Sequence, residues 1–334
     1  MRFPLADWIS SHSGVPHNLG GSSMVGALRT TPRILRHPGD GDADQLSLRL
    51  ARIYGVAADR VFLTHGATEG NSYVLLYLAR RIQTSEGRSA RFSSPIPEYP
   101  SIPDTARAVG FRIVPVNRPH DVTGLSYPNN PTGRLASPEE IADGATGARW
   151  TLVDETFREF TRAPSMARRN DIPGLWVNGT FTKVYGADEI RVGYVIAPTA
   201  EREPFAAFHG LVGDEIPTSS VRSAHALLDH RETVLRESRN IFARNLAYLQ
   251  KALPRVPALS APLWFDRVGP RSDGNTLSQQ ALRAGVLVCP GSYFGEPQGV
   301  RVCLTQRGFP RDLDAYLEVR SAYLRTSPRR AKGS

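Results

Sequence analysis

The chain has 334 residues and 41 basic side chains, yet only three of them are lysines: Lys183, Lys251 and Lys332. An amine can lose its proton and condense with a carbonyl group, and a guanidinium can do neither. Lys251 suits a helix end, where positive charge meets the dipole, and Lys332 sits in a basic tail. Lys183 is different. It lies in Thr180-Phe181-Thr182-Lys183 and is followed by Arg191-Val192-Gly193-Tyr194. Taken alone it also reads as an ordinary lysine at a strand end.

Other stretches carry matching chemistry. His65-Gly66-Ala67-Thr68-Glu69-Gly70 links an apolar strand to a helix. Free N–H groups and a helix dipole at such a turn suit a phosphate. Asp154-Glu155 closes a buried strand, where open α/β sheets bind ligands. Asn129-Asn130-Pro131-Thr132-Gly133 forms a turn after another strand. Tyr99 is held stiffly between Pro97 and Pro100. Arg191 and Arg301 could each fork onto an anion. Singly, each has a plainer reading: Asp154 as a strand-end cap, the arginines as surface ions, Asn130 as a turn former.

The elements that must position these groups alternate. From residue 44 to about 200, short apolar strands alternate with amphipathic helices, which predicts a mainly parallel sheet covered on both faces. Strands are expected at 60–64, 90–94, 111–116, 150–153, 175–181 and 191–197. One long helical period runs over 219–253, with Leu227, Val234, Leu235, Phe242, Leu246 and Leu249 in step. The rest is α+β. The expected organisation is an N-terminal arm (1–40) packing on the small domain or a partner subunit, a large domain (41–218), a connecting helix (219–253), a small α+β domain (254–325) and a disordered tail (326–334). The fold class is therefore α/β, a three-layer, mainly parallel sheet with a smaller α+β domain.

A net charge of +9 could mean a nucleic-acid partner, but the arginines are scattered and no nucleic-acid-binding signature appears. Cys289 and Cys303 make no disulfide framework and read as core residues; no metal-ligand spacing is visible. Neither a signal peptide nor a membrane span is legible. The expectation is a reduced, cytoplasmic, soluble protein with neither nucleic-acid nor membrane partner.

In their order along the chain, these motifs resemble those of the class I/II aminotransferases, enzymes of fold type I that use pyridoxal 5'-phosphate (PLP). They are most similar to the histidinol-phosphate aminotransferase group. Gly66-Ala67-Thr68-Glu69 resembles the phosphate turn, and Asn129 to Gly133 matches the NNPTG motif. Asp154-Glu155-Thr156-Phe157 resembles D-E-A-Y, and Thr180 to Lys183 with Arg191 to Tyr194 resembles S-x-S-K and R-x-G-Y. Cys289-Pro290-Gly291-Ser292-Tyr293-Phe294-Gly295 and Arg301 resemble the late PGSxFG stretch and carboxylate arginine. The resemblance covers nearly the whole chain. It implies a transaminase acting on an L-amino acid or amino-phosphate and a 2-keto acid, and a homodimer.

By the same resemblance, Lys183 would hold PLP as a Schiff base and shuttle the α-proton. Asp154 would face the pyridine nitrogen, Asn130 the phenolic oxygen and Tyr99 the ring face. Gly66, Ala67, Thr68, Thr180 and Arg191 would surround the phosphate, and Arg301 would take the substrate carboxylate. Two positions depart from the pattern. Phe157 replaces a tyrosine that would donate to the phenolic oxygen, and His37 stands where a partner subunit often sends a tyrosine. These departures keep other PLP reactions open: a threonine-phosphate-type decarboxylase, or an oxidase or lyase. A non-catalytic paralogue is the remaining alternative.

Overall fold

The computed structural model describes residues 3–172, 174–269 and 272–326. The chain enters through helix α1 (Pro4–His12) and the two-residue strand β1 (His17–Asn18), then a short helix α2 (Thr30–Ile34) and α3 (Ala43–Tyr54). Asp42 caps α3 by accepting from the amides of Asp44 and Gln45, and Gly55 ends it in the left-handed region at φ 67°.

Seven strands follow: β2 (Val61–Thr64), β3 (Arg91–Ser93), β4 (Arg112–Ile113), β5 (Val122–Ser126), β6 (Trp150–Asp154), β7 (Leu175–Thr180) and β8 (Gly193–Ile196). They form one sheet in the order β2-β8-β7-β6-β5-β3-β4. Pairing is parallel from β4 through β7, and β8 runs antiparallel to both β7 and β2. Alternation along the strands makes three layers. Leu152, Trp176 and Val195 face helices α4 (Ala67–Glu86), α5 (Ser101–Ala108) and α7 (Arg202–Val212). Val153, Val177 and Ile196 face the opposite core, which α3 and later helices complete. Every residue of β6 and β7 is buried, as two covered faces require. Between β5 and β6, the short helix α6 (Pro138–Gly144) starts on a capping box of Ser137 and Glu140.

The long helical period at 219–253 is two helices, α8 (Thr218–Asp229) and α9 (Arg231–Ala252), separated by His230 at φ −108°. Arg49 holds this break by donating to Asp229 at 2.8 Å. A one-residue interruption leaves the apolar spacing almost in phase, so periodicity alone cannot see it. Two strand expectations also shorten. Residues 111–116 supply only the two-residue β4, and Arg191 lies outside β8, in the left-handed region.

Beyond α9, strands β9 (Leu263–Arg267), β11 (Cys289–Pro290) and β12 (Gly299–Cys303) form an antiparallel sheet in the order β11-β12-β9. Helices α10 (Gly274–Arg283) and α11 (Phe309–Thr326) pack on it. The intervening strand β10 (Val286–Leu287) pairs in parallel with β1 of the entering arm. Thr326 belongs to the last helix; the remainder of the expected tail, 327–334, lies outside the described residues.

Candidate active site

The parallel strands β2, β5, β6 and β7 all point their carboxyl ends at one sheet edge. There Thr64 leads into the Gly66 turn, Ser126 into the Asn129–Gly133 turn, β6 ends in Asp154, and β7 delivers Lys183. Because β8 runs the other way, its start lies at the same edge and brings Arg191 with it. Ala67, Thr68, Tyr99 and Asn130 line one cavity together with Asp154, Thr180, Lys183 and Arg191. Gly66 adjoins its wall, and Ser22, Ser126, Thr156, Phe157 and Thr182 complete it. A larger open groove, about 960 Å³, lies beside residues 253–259 and contains none of these groups.

One end of the cavity is built for an anion. Gly66 takes φ +98°, and a side chain there would meet Arg191 Nη2 at 2.9 Å. Helix α4 begins immediately after it, with its first N–H groups free of intrahelical partners. Arg191 sits at φ 49° and donates from Nη2 to the carbonyl of His65 at 3.1 Å. A non-glycine residue held in that region signals a constraint from its surroundings. Gly193 lies so close beneath the turn that a Cβ would come within 2.5 Å of the Gly66 carbonyl carbon. Thr180 Oγ1 lies 2.8 Å from Thr182 Oγ1 and donates to Val192 O at 3.0 Å.

The other end holds the amine and the carboxylate. Lys183 lies deep in the protein but stays partly exposed to the cavity, and its amine makes no hydrogen bond or ion pair among the described residues. Burial lowers its pKa, with Arg301 and Arg191 adding to the fall and Asp188 opposing it. Asp154 is 5% exposed. It accepts from the Thr156 amide at 3.0 Å and from Asn71 Nδ2 at 3.1 Å. Tyr99 is pushed up to about 12, chiefly by burial. Its ring meets Phe3 edge-on.

Arg301, on β12, is 1% exposed. It donates from Nη1 to Asn130 Oδ1 at 3.1 Å and from Nη2 to Gly20 O at 2.8 Å, while its Nε is buried without a hydrogen bond. Asn130 therefore turns its oxygen to Arg301 and keeps Nδ2 for the cavity. Cys289 Sγ is 3.3 Å from Arg301 Nη2, and both cysteines are buried and free, their thiols raised by burial. Phe157 is buried and packs on Phe160. His37 is exposed on the loop after α2 and does not line this chain's own cavity.

Sequence reasoning missed the groups behind the wall. Glu98, 3% exposed, accepts from the amides of Tyr99 at 2.6 Å and Ser126 at 2.9 Å, from Asn129 Nδ2 at 3.2 Å, and from the Ser126 hydroxyl. Ser126 Oγ in turn accepts from the Asn130 amide at 2.8 Å. Burial raises Glu98 to about 8, against those hydrogen bonds. Asn71 and Asn178 stand behind Asp154, both 0% exposed. A signal did exist for Asn71: it falls at the helical spacing of Val74, Leu75, Leu78 and Ile82, an amide inside an apolar stripe.

The model of the class I and II aminotransferase family matches residues 35–315. The chain belongs to this family. As a class I and II aminotransferase it is an enzyme of the PLP-dependent aminotransferase class. It is 28% identical over 318 residues to a histidinol-phosphate aminotransferase of Symbiobacterium thermophilum, covering 85% of this chain and 82% of that one. It is 28% identical over 327 residues to histidinol-phosphate aminotransferase 2 of Ralstonia nicotianae, covering 89% and 83%. A PLP-dependent aminotransferase from Streptococcus suis superposes with a TM-score of 0.80 at 20% identity, over 98% of this chain and 99% of the other. An L-threonine-O-3-phosphate decarboxylase from Porphyromonas gingivalis superposes with a TM-score of 0.69 at 20% identity, over 93% and 100%. These two likenesses speak to the fold.

Family membership implies a PLP site, and this aminotransferase's cavity fits one. It offers an unpaired amine, an anion turn at a helix N-terminus with an arginine beside it, a carboxylate at the opposite end, and an amide Nδ2 free to donate.

Proposed function

We propose that the enzyme moves an amino group between an L-amino acid, or an amino-phosphate, and a 2-keto acid. The observation that carries this reading is the unpaired amine of Lys183, set in one cavity with Asp154 and Arg191 and with the buried Arg301 behind Asn130. Lys183 would hold PLP at its aldehyde carbon. Arg191, Thr180 and the N–H groups of Ala67 and Thr68, beside Gly66, would hold its phosphate; Asp154 would pair with its ring nitrogen, Asn130 would donate to its phenolic oxygen, and Tyr99 would cover the ring.

When bound, PLP supplies an electron sink for charge developing at the substrate α-carbon. The protein's own groups do the rest. Arg301 takes the substrate carboxylate in a fork and so fixes the α-carbon's orientation. Lys183, its pKa lowered by burial, acts as the general base and moves the proton at that carbon. Asp154, held by the donors Asn71 and Thr156, faces the ring nitrogen.

Both cysteines being buried and free supports a reducing, cytoplasmic location. No helix among the described residues is long and apolar enough to cross a membrane. A homodimer is part of the same reading; Leu211, 83% exposed on α7, is an apolar side chain that a second copy could cover.

The test is direct. Purified protein with PLP is expected to be yellow, and borohydride should fix the cofactor on the Lys183 peptide, read by mass spectrometry. Half-reactions with an amino-acid panel should accumulate the amine form of the cofactor. Carbon dioxide release or oxygen uptake in its place defeats transamination, and a colourless preparation unchanged by PLP defeats the enzyme reading.

A further inference from the structure

Helix α4 packs an asparagine against the sheet where its own apolar stripe calls for a leucine or isoleucine. Asn71 follows the spacing of Val74, Leu75, Leu78 and Ile82 and is 0% exposed. Opposite it, β7 carries Asn178 between Val177 and Gly179, also 0% exposed. A buried amide costs free energy unless it is hydrogen-bonded, and two apolar residues of similar shape would fill this space without that demand. The pair calls for an account.

The hydrogen bonds supply one. Asp154 and Asn178 are register partners on β6 and β7, and Leu152 and Trp176, two residues earlier on the same strands, face α4. Asn178 Nδ2 donates to Asn71 Oδ1, and contacts the carbonyl of Ala67, in the anion turn, at 3.4 Å. With its oxygen occupied by a donor, the Asn71 amide has one orientation left, Nδ2 towards Asp154 Oδ2 at 3.1 Å. The other carboxylate oxygen takes the Thr156 amide. Asp154 thus meets donors alone, one on each oxygen, which fixes the plane of the carboxylate. Asn178 pays part of the cost, because its Oδ1 is buried without a partner.

We propose that Asn71 and Asn178 are positioning residues for Asp154: Asn178 sets the orientation of the Asn71 amide, and Asn71 holds the Asp154 carboxylate aimed at the ring nitrogen of PLP. The inference rests on the PLP reading of the cavity. It extends that reading to two side chains that themselves stay out of the cavity lining.

The test compares wild-type apoprotein with Asn71→Leu, Asn178→Leu and the double variant. Each is titrated with PLP, and the visible absorbance of the bound cofactor is followed against pH. Asn71→Leu is expected to raise the Kd for PLP about 10- to 100-fold, the effect of losing a hydrogen bond to a charged group, and to shift the pH midpoint of the absorbance. Asn178→Leu should give a smaller shift in the same direction, and should add nothing in the Asn71→Leu background, because it acts through Asn71. The double variant, with both amides gone, should keep or gain apoprotein stability in urea. Unchanged Kd and pH midpoint in Asn71→Leu, or fully additive effects of the two changes, would overturn the proposal. If wild type itself fails to bind PLP, the reading of the cavity falls instead.

Discussion

Arg301 reaches from the three-stranded sheet to the turn after β5 and donates to Asn130 Oδ1 at 3.1 Å. One guanidinium thereby fixes which atom Asn130 turns to the cavity; in the proposed function it also takes the substrate carboxylate. Lysine keeps the charge but has no planar fork. Arg301→Lys is expected to lower kcat/KM for amino acids by about 10- to 100-fold, as loss of charge-assisted hydrogen bonds does. An amine substrate without a carboxylate should lose much less. Equal losses on both substrates would argue against carboxylate recognition by Arg301.

Phe157 lines the cavity, and in the proposed function it stands where a tyrosine hydroxyl would donate to the phenolic oxygen of PLP. Without that donor the oxygen is more basic and holds its proton to higher pH. Phe157→Tyr should therefore lower the pKa read from the visible absorbance of the bound cofactor. An unchanged or higher value contradicts the placement.

Glu98 has a folded-state pKa raised to about 8 from 4.5, first by burial. The folded state therefore binds the extra proton between those values. Its contribution to stability is complete below about 4.5 and is lost as pH rises through about 8. Urea unfolding should show wild type losing stability relative to Glu98→Gln over this window, by up to roughly 1.4 kcal/mol per pH unit. Parallel profiles for the two proteins would count against a titrating Glu98.

Gly193 lets β8 run against the anion turn, and a Cβ there would strike the Gly66 carbonyl carbon at 2.5 Å. The obstacle is backbone and cannot swing aside. Gly193→Ala should cost about 1–3 kcal/mol of stability, the range for overpacking, and should weaken phosphate-dependent binding of PLP more than binding of pyridoxal. A variant with wild-type affinity for both would show that the turn can yield.

The chain's local signals mark the candidate site wherever one short stretch carries both a reactive group and its backbone setting. Lys183 stood out as one of three lysines, Asp154 as the acid closing a buried strand, and Asn130 as part of a five-residue turn. Gly66 to Thr68 was legible because a strand, a small-residue turn and a helix start are contiguous. The alternation of strands and helices fixed a mainly parallel sheet, since both faces of the buried strands had to be covered.

Tertiary structure decided what depends on residues far apart in the chain. The antiparallel course of β8 brings Arg191 to the edge where Lys183 lies. The break at His230 is held by Arg49, 180 residues from its partner Asp229. Glu98 and Ser126 support Asn130, and Asn71 meets Asp154 across 83 positions. No periodicity records such pairs, because a buried polar side chain makes physical sense only beside its hydrogen-bond partner, and packing chooses that partner.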